Sequence, residues 1–319
     1  MILGIIEYSF TEAVVISANA VFSRASPATF LFGLLAIAFL SISLGRTRVR
    51  SGVVRRVCAA GWVVFALFWL TMLPEFAFVE KSPLKTILTL GGIPVALYIA
   101  SVTYHETDVS SSVFQVSGAV SIMGWIYLPF SSIAFLRQWL IEEVTLQTLW
   151  GVQLLGYSPQ LTHGPDYGYL SALRFTHIDG VQPLTYIELA CTGLGSIAIL
   201  LGVLSLSREP LEEKVVWAVG LVGLVTVLNW IRNVFIATAF GDQLLQVGIP
   251  WVVALFSLEN PALVSFYLAD KVISQVLSVI VLVGIGLALF KYHPSIQQTF
   301  EELVEDLGQS SLCELPRVR

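Results

Sequence analysis

The chain has 319 residues, 56% of them hydrophobic and 12% charged, with a formal net charge of −5 and a mean hydropathy of +0.81. Soluble globular chains carry about 25% charged and 45–50% apolar residues, so this composition excludes a water-soluble enzyme, a disordered chain and a coiled coil. The acidic balance argues against nucleic acid as a partner, and the chain reads as an integral membrane protein.

In chain order, residues 1–22 are apolar but interrupted by Glu7 and Glu12, which leaves room for a short or interfacial helix. They lack a basic region followed by an apolar run and a small-residue cleavage site, so no removable signal peptide is expected. A hydrocarbon core of about 30 Å needs roughly 20 apolar residues per helix. Seven stretches meet that requirement, at about 27–44, 57–74, 87–103, 114–135, 187–206, 215–240 and 262–290. The first opens on Ser26-Pro27, a cap followed by a first-turn proline. The longest loop, 137–186, holds an amphipathic run (RQWLIEEVTLQTLW) and a Gly/Pro/Tyr-rich stretch (GYSPQLTHGPDYGYL). Residues 243–258 contain Pro250 and are too short to span, which predicts a re-entrant or interfacial segment. The tail 291–319, with Glu301, Glu302, Glu305 and Asp306, is expected to be a solvated acidic helix end. The expected fold class is all-α: a polytopic transmembrane bundle of about seven spans, with a possible eighth at the N-terminus. It divides into a single membrane domain, 1–290, and a cytoplasmic tail, 291–319. No internal repeat is visible, which weighs against an inverted-repeat transporter.

Arginine sets the orientation. Arg46, Arg48, Arg50, Arg55 and Arg56 lie between the first two spans without an acid among them, and short loops that rich in arginine stay cytoplasmic. Alternating from there puts the 137–186 loop outside and the tail inside. Ten basic residues then fall inside (those five, with Arg208, Lys214, Lys291, Arg317 and Arg319) and five outside (Arg24, Lys81, Lys85, Arg137 and Arg174).

Ionisable residues within a span are costly and mark function by default, and here they gather in the last three spans. Glu188, Cys191, Thr192, Gly195 and Ser196 fall on one helical face by their spacing. Asn229, Arg232 and Asn233 do so in the next span. Lys271, Ser274, Gln275 and Ser278 do so in the last, with Asp270 beside them. Lipid-facing polar stripes are unfavourable, so the three are expected to face one another. At about 1.5 Å of rise per residue, Cys191, Arg232 and Lys271 all fall in the outer half of the bilayer.

Each residue also has a plainer reading. Cys191 with Gly195 is a small-xxx-small pair that lets helices pack closely. Arg232 has the reach to snorkel to the interface. Asp270 has two candidate partners, Lys271 beside it or Arg232 across helices. Cys58 reads as a core or lipid-facing residue and Cys313 as a tail thiol. The three cysteines are too widely spaced for a disulfide framework or a CxxC metal site. His105 (cytoplasmic loop), His293 (start of the tail), His163 and His177 (outer loop) are not spaced as metal ligands. Neither a metal nor a cofactor is expected.

A thiolate is the reactive form of cysteine and nearby cations stabilise it. A cysteine near the interface with Arg232 beside it suits a nucleophile attacking a carbonyl. The arginine fork then meets the oxyanion, and Lys271 serves either as a point charge or as a base. The thioacyl-enzyme is released by water or by an amine or hydroxyl acceptor, for which a lipid headgroup is well placed.

The string ACTGLGS at 190–196, Arg232-Asn233, and Ala269-Asp270-Lys271 in the last long span together resemble the archaeosortases. These are the archaeal branch of the exosortase/archaeosortase family of membrane-embedded thiol transpeptidases, and the archaeosortase A group is nearest. The resemblance covers roughly residues 114–290. It implies that Cys191 is the nucleophile, Arg232 the arginine of the family pattern, and Lys271 the third basic residue, where archaeosortases characteristically carry arginine. Glu188, Thr192, Asn233, Asp270 and Gln275 are the expected supporting residues. The resemblance further implies substrates that are secreted proteins with a C-terminal signal: a short Pro-Gly-Phe motif, a transmembrane helix and a basic end. Such proteins are cut near the motif and anchored to a membrane lipid on the outer face of an archaeal cell membrane. Two other readings stay open on residues alone. One is a transporter or channel lined by Glu188, Arg232, Asp270 and Lys271; the other is a non-catalytic scaffold.

Overall fold

The computed structural model describes residues 27–44, 52–79, 82–105, 111–164, 168–175, 183–258 and 260–312. The possible helix at 1–22, Arg46, Arg48, Arg50, His177 and Cys313 lie outside the described residues. The chain is mostly helical. Its elements are α1 (Pro27–Leu40), α2 (Gly52–Pro74), α3 (Pro83–His105), α4 (Ser111–Ser132) and α5 (Ala134–Leu154). Three short strands follow, β1 (Gln160–His163), β2 (Leu170–Arg174) and β3 (Leu184–Tyr186). Then come α6 (Leu194–Ser205), α7 (Leu211–Gly241), α8 (Ile249–Phe256), α9 (Val264–Tyr267), α10 (Gln275–Tyr292) and α11 (Pro294–Leu312).

Among the described residues five helical stretches are long and apolar enough to cross a membrane: Gly52–Phe78, Pro83–His105, Ser112–Ser132, Leu211–Gly241 and Pro261–Tyr292. Each coincides with an expected span. Large apolar side chains such as Val216, Val219, Ile280 and Leu287 are exposed along them, the pattern of helices whose solvent is lipid. The other two expected spans are shorter apolar helices, Ala28–Ser43 and Leu194–Ser205. The second departs most from expectation. At 12 residues it reaches only about 18 Å.

One compact unit comprises the described residues of 20–128, 198–219 and 285–319. Its core gathers Leu40, Cys58, Trp62, Ala66, Ile99, Ala100 and Val113. Cys58 is buried there and donates to Ser117 Oγ (3.3 Å), which also accepts from Trp62 Nε1 (2.9 Å). The acidic tail is an ordered helix, α11, with Leu303 in this core and Asp306 accepting from Ser112 (2.7 Å). His293 is likewise buried rather than a tail group. The tail folds back because Ile296 and Leu303 form an apolar face that water alone does not satisfy.

The second unit comprises residues 129–197 and 220–284, with 1–19 outside the described residues. The expected outer loop is more ordered here than its composition suggests. Its amphipathic run forms α5, and its Gly/Pro/Tyr-rich part forms an antiparallel sheet in the order β1-β2-β3. Leu173 and Phe175 of this sheet pack with Val152 of α5 and with Val234 and Ala237 of α7. Trp230 donates from Nε1 to the Gln147 carbonyl (2.8 Å). At the end of α7, Tyr157 donates to the Asp242 carboxylate (3.1 Å), and that bond pushes its phenol above the ordinary range. The segment after α7 is not a span, as expected. The eight-residue α8 buries Val252 and Phe256 and exposes Trp251 and Leu255, as an interfacial helix does.

Gly151 allows α5 to approach α7, since a Cβ there would stand 2.4 Å from Val234 and 2.9 Å from Trp230. Gly151→Ala is therefore expected to lower the thermal midpoint of the detergent-solubilised protein, by an overpacking cost of about 1–3 kcal/mol. Gly220→Ala, where nothing lies within 4 Å, should leave the midpoint unchanged or raised, because alanine is the better helix former by about 1 kcal/mol.

Candidate active site

β3 leads straight to the cysteine. Ile187 donates its N–H to the Ser171 carbonyl (2.8 Å), continuing the ladder, and Glu188 remains extended at φ −110°, ψ 172°. Residues Leu189–Thr192 then form a 3-10 turn, with the Cys191 N–H donating to the Glu188 carbonyl (2.9 Å). Gly193 follows in the left-handed region at φ +78°, and α6 starts at Leu194. Two constraints select glycine: the positive φ, and a Cβ that would stand 3.1 Å from Asn229 Cγ. The buried Thr192 closes the turn, donating to the Leu189 carbonyl (2.7 Å) and accepting from the Leu194 N–H (3.4 Å).

The expected helical face through Glu188, Cys191, Thr192, Gly195 and Ser196 is therefore broken at Gly193. Spacing alone does not register a left-handed residue, and ACTG reads as helix until its glycine takes positive φ. Cys191 lies on a turn before the helix and is half-buried.

α7 supplies the opposite wall. Asn229 and Asn233 both donate from Nδ2 to the Cys191 carbonyl, at 2.8 and 2.9 Å. Arg232, between them in sequence, donates from Nη2 to Asp270 Oδ1 (2.6 Å). The other carboxylate oxygen of Asp270 lies 3.1 Å from Lys271 Nζ. Both candidate partners of Asp270 are thus real, and Arg232 spends its reach on the carboxylate rather than on snorkelling. Arg232, Asp270 and Glu188 all lie close enough to act electrostatically on the Cys191 thiol.

The residues 268–274 are π-helical, between α9 and α10. A π turn takes an extra residue per turn, so the i, i+3, i+4 pattern expected for Lys271, Ser274, Gln275 and Ser278 does not carry through. Asp270 and Ser274 are buried, Lys271 half-buried. Gln275, also half-buried, opens α10. The carbonyl contact of Asn229 is the feature that sequence reading missed. Its signal was present in the N-x-x-R-N spacing at 229–233, which puts three polar groups on one face.

Comparison with known proteins bears on these residues. The profile of the transmembrane exosortase family matches residues 25–261. Archaeosortase A of Haloferax volcanii is 37% identical over 261 residues, covering 78% of this chain and 84% of its own length. The chain belongs to the exosortase/archaeosortase family. Archaeosortase A of Natronomonas pharaonis is 34% identical over 259 residues, covering 80% of this chain and 81% of its own. No solved structure matches. Family membership makes this chain a membrane-embedded, sortase-like processing enzyme with archaeal relatives. The family match contains Cys191 and Arg232 and ends before Asp270 and Lys271.

Asp270 holds two cations with side-chain exposures of 23% (Arg232) and 16% (Lys271). Asp270→Ala is expected to lower the thermal midpoint markedly, since removing one member of a buried ion pair costs about 3–5 kcal/mol. The double variant Asp270→Ala, Lys271→Met should lose less, because one of the stranded charges is gone. Thermal unfolding in detergent compares the two.

Proposed function

We propose that this chain is a cysteine peptidase-transpeptidase that cleaves a C-terminal sorting signal from secreted surface proteins and transfers them to a lipid anchor. The observation that carries the reading is that one face of α7, residues 229–233, both binds the Cys191 backbone and carries the arginine of a charge chain ending at Lys271. The name archaeosortase, borne by both relatives, supports a sorting reaction.

In this reading the Cys191 thiolate attacks the scissile carbonyl carbon. The carbon–sulfur bond forms as the carbonyl π electrons move to oxygen, and the fixed positive charge of Arg232 stabilises that oxyanion. Collapse breaks the carbon–nitrogen bond, and the leaving amine takes up the proton that the thiol gave up. The thioester then yields to a hydroxyl or amine acceptor of a membrane lipid, or to water, which restores the thiol. Asp270 keeps Arg232 and Lys271 in place while the reaction proceeds. Lys271 supplies the third charge. A substrate helix with a basic cytoplasmic end would bring its outer end to Cys191 beneath the sheet β1-β2-β3, on the outer side of the cell membrane.

Cys191→Ala and Cys191→Ser are expected to leave folded protein in the membrane and to abolish processing, read by mass spectrometry of surface-protein C-termini. Lys271→Arg should retain most activity and Lys271→Ala should lose it, because arginine keeps the charge and cannot give up its proton. The reverse order would assign Lys271 to proton transfer or to no role. A photocrosslinker in a substrate's C-terminal segment should map to the surroundings of Cys191 and to 137–186; crosslinks confined to the cytoplasmic side would refute the orientation.

A further inference from the structure

Resting on the thiol-transfer reading, we infer that Asn229 and Asn233 are positioning residues: their two amides clamp the Cys191 carbonyl and thereby set where the thiol stands relative to Arg232. The inference starts from the break at Gly193. In a continuous α-helix the Cys191 carbonyl would accept from the N–H four residues on, that of Gly195. With Gly193 at φ +78° that bond is not made, and the carbonyl turns to α7 instead. Its contacts there lie eight to twelve residues before Gly241, the end of α7, which is about 12–18 Å along the helix. The wall that supplies the donors is well packed, with Asn233 buried, and a carbonyl against such a wall takes its partners from the protein.

A carbonyl oxygen has two lone pairs, and the amides at 2.8 and 2.9 Å supply a donor for each. A single bond would leave the turn free to pivot about it; two donors one helical turn apart fix its direction. The fit is specific for asparagine. Aspartate of the same shape is acceptor-only when ionised, glutamine is one methylene too long, and the Asn229 side chain already lies against Gly193. Arg232 is one and three residues away on the same helix, so the clamp and the cation move as one rigid piece. Catalysis is steep in such geometry: a misplacement of about 1 Å costs on the order of 10²-fold in rate.

The test uses the full-length enzyme in native membranes, with Cys58→Ala and Cys313→Ala present so that Cys191 is the sole thiol. Asn229→Ala, Asn233→Ala and the isosteric Asn229→Asp and Asn233→Asp are compared for three readouts. These are kcat against KM for a protein bearing a C-terminal sorting segment, the rate of Cys191 alkylation by iodoacetamide, and the thermal midpoint. Each variant is expected to lower kcat by about 10–100-fold with KM within about twofold, and to change the alkylation rate several-fold. The double alanine variant should fall well short of the product of the single effects, because both residues hold one carbonyl. An unchanged kcat and alkylation rate in the Asp variants would overturn the inference. So would a loss of activity that only tracks the loss of folded protein, whether in some or in all four variants. The alkylation readout needs no turnover, so the clamp is judged even if Cys191→Ala leaves processing intact, a result that would instead sink the thiol-transfer reading.

Discussion

A backbone carbonyl that a helix no longer serves must find its hydrogen bond elsewhere in the protein, and at Cys191 that requirement governs the surrounding architecture. Regular helix meets it automatically, at the cost of pointing every side chain along a repeating spiral. Placing a thiol on a turn means giving up that bookkeeping, and the chain does so at one glycine. The carbonyl so released is bound by Asn229 and Asn233, the preceding chain by the β2–β3 ladder, and the turn itself by Thr192. Irregular backbone is tolerated here because protein groups take up its hydrogen bonds.

The same helix then solves a second problem, that of holding a cation in an apolar setting. Arg232 lies between the two asparagines in sequence and bonds to Asp270, whose second oxygen meets Lys271. The two cations are matched by two carboxylates, Asp270 between them and Glu188 within electrostatic reach of the thiol, so what Arg232 offers a thiolate is its position rather than a surplus of positive charge. The π-helical stretch 268–274 brings the adjacent residues Asp270 and Lys271 to a common task, a familiar use of such distortions at functional sites.

Much of this was legible in the residues. Among the described residues hydropathy located every long apolar helix, because the hydrocarbon thickness imposes a length that sequence shows directly. The gathering of Cys191, Arg232, Asp270 and Lys271 followed from the cost of polar groups in lipid, which drives them together whatever the local backbone does. What stayed hidden was local. Cys191 was read as part of a span because Ala190, Leu194 and the residues after them are apolar, and nothing in that string marks Gly193 as left-handed. The loop 137–186 was read as amphipathic and turn-rich, which is correct for its composition. Its ordering depends on Leu173 and Phe175 finding Val152, Val234 and Ala237, long-range contacts that no window of sequence contains.

Asp270 gives its two oxygens to two different kinds of cation. Arginine can take both oxygens of a carboxylate in a fork, whereas here Arg232 bonds to one of them. A lysine is a point donor and needs only Oδ2, at 3.1 Å, which leaves Oδ1 to Arg232 at 2.6 Å. The division of oxygens anchors Arg232 through one nitrogen, which under the proposed reaction keeps the rest of its fork for the substrate carbonyl. On this geometry Oδ2 requires a positive charge at 271 rather than a second fork.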